Sequence, residues 1–360
     1  MRAKGAGRRC QGWARCGTTN VEPVPRIRLL SVSRRQLLVR LAAAAAVAPV
    51  LADSIRPACA ADQDFATWLA GFRQDALGAG IRASTLDAAF AGVAPLPHVL
   101  ELDQRQPETT ITFDTYVSRV VSDARIQAGR QHLADDRQLL DEIGTKYGVQ
   151  PRFIVALWAI ETDFGRVQGD YPIVASLATL AYDGRRGAFF RKELIAALKI
   201  LDQGHIRPEE LRGSWAGAMG QTQFMPSTFL AYAVDYGGTG KQDIWHDKRD
   251  ALASIANYLS SLGWSADYTW GRPVKLPSGF DPALLGGQVL KTVDQWQALG
   301  VRRTDGGALP QAAIDAGLVQ PGGPDGTTLM VYGNYRAIMK WNRSLYFATA
   351  VSYLADRIES

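Results

Sequence analysis

The sequence predicts a mainly α protein with one small mixed α/β insertion near its C-terminal end. Three observations lead there. Apolar residues recur at helical spacing through most of residues 62–262. Composition shifts between 265 and 330, where Gly and Pro become dense and short strand-like pieces appear, such as Val274-Lys275-Leu276 and Thr327 to Tyr332. A last helical stretch, about 343–357, then returns to the helical body.

Residues 1–60 read as a leader. Ser33-Arg34-Arg35-Gln36-Leu37-Leu38 has the form of a twin-arginine export signal, an apolar run follows from Leu41 to Leu51, and Ala58-Cys59-Ala60 offers a small-x-small cleavage site, which makes Ala61 the expected mature start. The apolar run is shorter than the roughly 20 residues a bilayer span needs. Export to the periplasm is therefore expected, with a retained leader acting as a membrane anchor as the alternative. No later segment is long and apolar enough to span a membrane.

The net charge of +5 belongs to this leader. It holds 11 of the 40 Lys and Arg residues and only two acids, Glu22 and Asp53, which leaves the rest of the chain at 29 basic against 33 acidic residues, a net of −4. A nucleic-acid partner needs basic charge on the folded domain, so none is expected. The three cysteines, Cys10, Cys16 and Cys59, also lie in the leader, so the body has no disulfide, no thiolate metal site and no cysteine nucleophile. The four histidines, His98, His132, His205 and His246, show no ligand spacing. Neither a metal nor an organic cofactor is expected.

In the body, residues 62–145 form a first helical part. Phe65, Leu69 and Phe72 recur on one face, Pro95, Pro97 and Pro107 mark a loop region, and Leu139, Leu140 and Ile143 form a further apolar stripe. Residues 146–264 form a second helical part, broken by glycine-rich loops at 165–169, 213–220 and 237–240. The mixed insertion at 265–330 follows, and 331–360 returns to the body.

Pro151 to Glu161 (Pro-Arg-Phe-Ile-Val-Ala-Leu-Trp-Ala-Ile-Glu) is the most informative stretch. Pro151 suits a first helical turn and Gly165 a stop. The helix between them is apolar almost all round, as a core helix is, and Ile154, Trp158 and Glu161 share a face. A carboxyl there has two reasons to hold its proton, the apolar setting and the negative end of the helix dipole. A protonated carboxyl near neutral pH is what glycosidic cleavage needs, because the leaving oxygen must receive a proton. The competing reading turns Glu161 to solvent or pairs it with Arg166. Glycoside hydrolysis normally uses two carboxylates, yet Asp163 points to another side of the helix and Asp170 and Asp183 lie in later loops.

Ser214 to Ser227 (Ser-Trp-Ala-Gly-Ala-Met-Gly-Gln-Thr-Gln-Phe-Met-Pro-Ser) is the second informative stretch. Its small residues let backbone approach a bulky ligand, Gln221 and Gln223 offer amides suited to sugar hydroxyls and N-acetyl groups, and Phe224 and Met225 offer apolar surface. Pro226 starts another helix. Taken alone, the composition of this stretch favours an ordinary connection between helices.

Together these stretches resemble the lytic murein transglycosylase B family. The resemblance rests on Trp158 to Gly165, on Ala175 to Asp183 with Phe189 to Leu194, on Gly217 to Ser227, on Ala256-Asn257-Tyr258-Leu259 with Gly263-Trp264, and on Trp341-Asn342-Arg343-Ser344, and it covers nearly all of residues 62–358. It implies a lysozyme-like helical core with an additional helical domain and the small mixed insertion. It implies cleavage of the β-1,4 bond between N-acetylmuramic acid and N-acetylglucosamine in peptidoglycan, with Glu161 as acid and then base and a 1,6-anhydro end as product. It also implies that Ser214, Gln223, Tyr258, Asn342 and Tyr116 contact substrate, joined by Met219 and Phe224 of the glycine-rich loop. Peptidoglycan glycan strands are the expected partner, with wall-building or division complexes beyond them. A water-using muramidase and a non-catalytic wall-binding scaffold are the rival readings.

Two departures from the family pattern stand out. Where some members carry an Asp-x-Asp-Gly-Asp-Gly calcium loop, this chain has Asp235-Tyr236-Gly237-Gly238-Thr239-Gly240-Lys241-Gln242-Asp243, so no calcium cage is expected. The Tyr that often precedes the asparagine is Trp341, and the aromatic five residues past it is Phe347, with Tyr346 beside it. A site hydroxyl is thus expected to be missing or shifted.

Overall fold

The structure, a computed structural model, describes residues 64–104 and 111–359. The expected leader, with its twin-arginine-type pattern, falls outside the described residues. The chain is mainly α, with 14 α-helices among the described residues and a small sheet in the insertion, as expected.

In chain order the helices are α1 (Phe65–Gly78), α2 (Ala83–Phe90), α3 (Pro97–Gln104), α4 (Phe113–Val120), α5 (Asp123–Asp135), α6 (Arg137–Tyr147) and α7 (Pro151–Thr162). A short strand β1 (Tyr171–Pro172) precedes α8 (Ile173–Asp183) and α9 (Gly187–Asp202). Then come β2 (Arg212–Gly213), α10 (Pro226–Tyr232) and α11 (Lys248–Ser261). The insertion holds β3 (Gly271–Lys275), β4 (Lys291–Thr292), α12 (Val293–Ala298), β5 (Arg302–Arg303), β6 (Asp315–Val319) and β7 (Thr328–Val331). The chain closes with α13 (Gly333–Trp341) and α14 (Leu345–Glu359).

Three apolar cores organise these elements. One surrounds α7, whose Phe153 to Ala159 are all buried beneath α5, α6, α11, α13 and α14. Ile154 and Val155 are mediocre helix formers, at a cost of a few tenths of a kcal/mol each. Burying each side chain returns about 1.5–3 kcal/mol, so packing decides that this segment is helical. The second core joins α1–α3 to α8, α9 and the loop after β2, through residues such as Phe72, Leu86, Leu177 and Met219. Residues 62–145 therefore serve two cores, with 68–99 in one and 121–143 in the other. The third core lies within the insertion, around Trp296 and Leu318. Its sheet has the order β4-β6-β7-β3-β5, with every neighbouring pair antiparallel.

The structure corrects one expected boundary. Helix α7 stops at Thr162 rather than running to Gly165, and Asp163 (φ 53°) and Phe164 (φ 61°) both enter the left-handed region ahead of Gly165 (φ 82°). Each such non-glycine residue costs on the order of 1–2 kcal/mol. Side-chain bonds hold the turn: Thr162 Oγ1 accepts from the Gly165 N–H at 3.0 Å and donates to the Gln221 carbonyl at 2.8 Å. The early stop leaves Glu161 in the last turn of the helix.

Candidate active site

Glu161 opens onto a cavity of about 630 Å³. Its walls come from Ile111, from Tyr116 and Val120 of α4, Arg125 of α5, Ile160 and Glu161 of α7, and Asn342, Ser344, Leu345, Tyr346 and Phe347 at the junction of α13 and α14. Most of this lining is apolar, and among the described residues Glu161 is the one carboxylate in it. Burial pushes the Glu161 pKa up to about 7, against the opposing pull of a hydrogen bond from Trp341. The dominant cause is desolvation, the first of the two expected from the sequence. The expected alternative of a pair between Glu161 and Arg166 is not formed, because Arg166 pairs with Asp163 instead. Asp163 also faces Arg125, at 3.6 Å, and is not part of the cavity lining.

The partner of Glu161 comes from the far end of the chain. Trp341 Nε1 donates to Glu161 Oε1 at 2.7 Å. Its indole packs against Tyr258 and Phe224, at centroid distances of 5.0 and 5.4 Å, and Tyr258 stacks on Tyr232 at 4.6 Å. The departure from Tyr at this position thus exchanges a hydroxyl for an indole N–H beside the acid. The second departure is resolved too. Phe347 is 5% exposed and belongs to the α7 core, while Tyr346 lines the cavity between Phe113 and Tyr116, at 5.3 and 5.7 Å.

The loop after β2 is pinned at both ends. β1 and β2 pair with Tyr171 opposite Gly213. Met219 and Phe224 exchange backbone bonds of 2.9 and 3.1 Å, leaving Gln221, Thr222 and Gln223 at a tight tip. Gly220 sits there at φ 64°, with Ile244 atoms 2.7–2.9 Å from where a Cβ would lie, so only glycine fits without displacement. Gln221 faces inward, where its Oε1 accepts from Trp158 Nε1 at 3.0 Å and its Nε2 donates to the Trp245 carbonyl at 3.2 Å. At the end of the loop Glu193 accepts from the Ser227 N–H and hydroxyl at 2.9 and 2.7 Å, which caps α10.

The expected site residues are therefore divided. Glu161, Tyr116 and Asn342 share the cavity wall. Asn342 also accepts from the Ser344 N–H at 3.0 Å, which sets the turn into α14. Ser214 and Gln223 do not belong to that wall: the Ser214 hydroxyl accepts from Ala218 N–H at 2.9 Å, and the Gln223 amide donates to the Gln168 and Gly220 carbonyls, both at 3.0 Å. Tyr258 reaches the acid through Trp341 rather than through the cavity. Met219 and Phe224 are corrections. Their side chains are 0% and 2% exposed and sit in the second core, so they pack the loop instead of offering a surface to sugar. Sequence reasoning did not single out Arg125, Ser344 or the bond made by Trp341, because no local pattern marks a side chain that meets its partner only through the fold.

The loop at 235–243 does not suit calcium. Asp235 turns its oxygens onto the Thr239 and Gly240 N–H groups, and Asp250 accepts from the N–H groups of Tyr236, Gly237 and Asp243. Carboxylates engaged by backbone donors on every side are not arranged as a cation cage. Among the described residues no cluster of three or more His, Cys, Asp or Glu is placed to hold a metal.

A helical scaffold holding one carboxyl, its pKa pushed up to about 7, at the end of a core helix and on the wall of a largely apolar cavity is the kind of site a glycan-cleaving enzyme presents. The chain belongs to the transglycosylase SLT domain family, whose profile matches residues 64–356. It is 32% identical over 284 residues to the membrane-bound lytic murein transglycosylase B of Escherichia coli (strain K12), an alignment covering 73% of this chain and 74% of that protein. Among solved structures, SltB3 from Pseudomonas aeruginosa in complex with NAG-anhNAM-pentapeptide matches with a TM-score of 0.80 and 45% identity, over 83% of this chain and 80% of that one. The soluble lytic transglycosylase SltB1 from Pseudomonas aeruginosa matches with a TM-score of 0.73 and 30% identity, over 81% and 98%. The lysozyme-like lytic transglycosylase fold is thus shared, and the chain is an enzyme that acts on peptidoglycan.

Proposed function

We propose that this enzyme cleaves the β-1,4 bond between N-acetylmuramic acid and N-acetylglucosamine without water, using Glu161 twice. Protonated Glu161 gives its proton to the glycosidic oxygen as the bond from that oxygen to muramic C1 breaks. The resulting carboxylate then takes the proton of the muramic C6 hydroxyl as its oxygen bonds to C1. The products are a free N-acetylglucosamine hydroxyl and a 1,6-anhydro end, and Glu161 regains its proton. The observation that carries this reading is the solitary Glu161 carboxyl, with a pKa pushed up to about 7, on the wall of the cavity. A group with that pKa is half protonated near neutrality and serves in both directions. A nucleophile held within the substrate removes the need for a second carboxylate to activate water.

In this reading Asn342 and Tyr116 offer polar contacts to the sugar at the scissile bond, since both line the same cavity. Ser214 and Gln223 hold the glycine-rich loop in shape and meet the glycan away from the acid. The natural substrate is the peptidoglycan glycan strand, met in the periplasm after export through the twin-arginine-type leader, with a retained leader as the route to membrane association. Wall-building or division complexes are the proposed setting. The test is muropeptide release from purified sacculi by wild type and by Glu161→Gln. Wild type releases fragments with 1,6-anhydro ends and the variant releases none above background; equal release by both overturns the proposal.

A further inference from the structure

The bond between Trp341 and Glu161 constrains where the catalytic proton sits. An indole N–H donates and cannot accept. A protonated carboxyl has one oxygen bearing hydrogen and one free to accept. With Trp341 Nε1 2.7 Å from Oε1, a proton on Oε1 would leave the indole N–H a hydroxyl oxygen, a much poorer acceptor than the carbonyl oxygen it meets when the proton is on Oε2. Trp341 is the one hydrogen-bond partner of this carboxyl among the described residues, so Oε2 is left for the cavity that Glu161 lines. A tyrosine hydroxyl in this place could accept as well as donate, and in accepting it would hold the acid's proton on the side away from the glycan.

We infer that Trp341 is a positioning residue that confines the proton of Glu161 to Oε2, the oxygen facing the bound glycan. The inference rests on the proposed role of Glu161 as acid. The indole is itself held by Tyr258 of α11 and Phe224 of the glycine-rich loop, which gives these two residues a part in catalysis without contact with sugar. The other charged or titratable groups around the acid are Tyr116 of α4, Arg125 of α5 and Tyr346 of α14, with Tyr258 behind the indole. Arg125 is engaged by the Val120 carbonyl and by Asp163, so it does not compete with Trp341 for the carboxyl.

The test compares wild type, Trp341→Phe and Trp341→Tyr on a soluble glycan, with folding checked by circular dichroism. Trp341→Phe keeps a ring and removes the donor. Its kcat is expected to fall about tenfold with KM within about twofold of wild type. The basic limb of its pH profile is expected to move up by about half to one pH unit, because an N–H that favours the carboxylate has gone. Trp341→Tyr restores a donor and is expected to return the limb toward wild type, with kcat between the two. An unmoved limb in Trp341→Phe, whatever happens to kcat, overturns the inference by reducing Trp341 to a packing residue. Difference infrared spectroscopy gives a second measurement on wild type alone, with the Glu161 band assigned by its loss in Glu161→Gln. A carbonyl stretch lowered by an accepted hydrogen bond supports the inference, and the stretch of a free carbonyl overturns it. Full activity in Glu161→Gln would instead sink the underlying role of the acid.

Discussion

Trp158 and Gln221 join α7 to the glycine-rich loop through a buried bond of 3.0 Å between indole N–H and amide oxygen. The same loop residue accepts from the Thr162 hydroxyl through its backbone carbonyl, so two residues flanking Glu161 on α7 are tied to one position. Replacing Gln221 with Leu leaves the Trp158 N–H without a partner inside the protein. The expected loss of stability is about 1–3 kcal/mol, read from urea or thermal unfolding, with a matching fall in activity as the loop and helix lose their mutual register. A variant as stable and active as wild type would show that this link is dispensable.

Gly220 is expected to be intolerant of any side chain. Its φ of 64° and the Ile244 atoms within 3 Å of a Cβ combine backbone strain with a clash. Gly220→Ala is expected to cost about 2–4 kcal/mol, the sum of a left-handed alanine and an overpacked contact, measured as a lowered unfolding midpoint.

The raised pKa of Glu161 predicts a stability that depends on pH. With the folded-state value at about 7 and an ordinary value of 4.5, the folded protein binds more protons than the unfolded chain between these limits. The stability linked to this group is fully present below about pH 4.5, and it is lost as pH rises to 7 and beyond. Glu161→Gln removes the charge that must be buried at high pH. It is expected to be more stable than wild type at pH 8, by about 2 kcal/mol once the open side of the carboxyl is allowed for. At pH 4.5 the difference should vanish. An equal gain at both pH values would contradict the assignment.

Calcium is expected to leave this protein unchanged. Because Asp235 and Asp250 already spend their oxygens on backbone N–H groups, millimolar calcium or a chelator should shift the thermal midpoint by no more than about 1 °C. A clear rise with calcium would mean that the loop at 235–243 can reorganise around the ion.

Much of the site was legible in sequence because it lies on regular structure. Pro151 and the unbroken apolar run announced a core helix, and a lone carboxyl at its end announced a perturbed acid. What escaped depends on distance or on irregular backbone. The true stop of α7 comes from Thr162 meeting Gln221, 59 residues away. The donor beside Glu161 comes from Trp341, 180 residues away. Met219 and Phe224 looked like ligand surface because side chains in an irregular loop follow no period, and only the fold shows them turned inward. Two-residue strands such as β4 and β5 are too short for an alternating pattern to register.

The most direct measurement is digestion of purified glycan strands in water labelled with heavy oxygen, followed by mass spectrometry of the muramic ends. If the C6 hydroxyl of the substrate replaces water as the nucleophile, every new end lacks the label and weighs one water less than a reducing end. Incorporation of the label into those ends would identify a hydrolase and contradict the account of Glu161 as an acid and base that works alone.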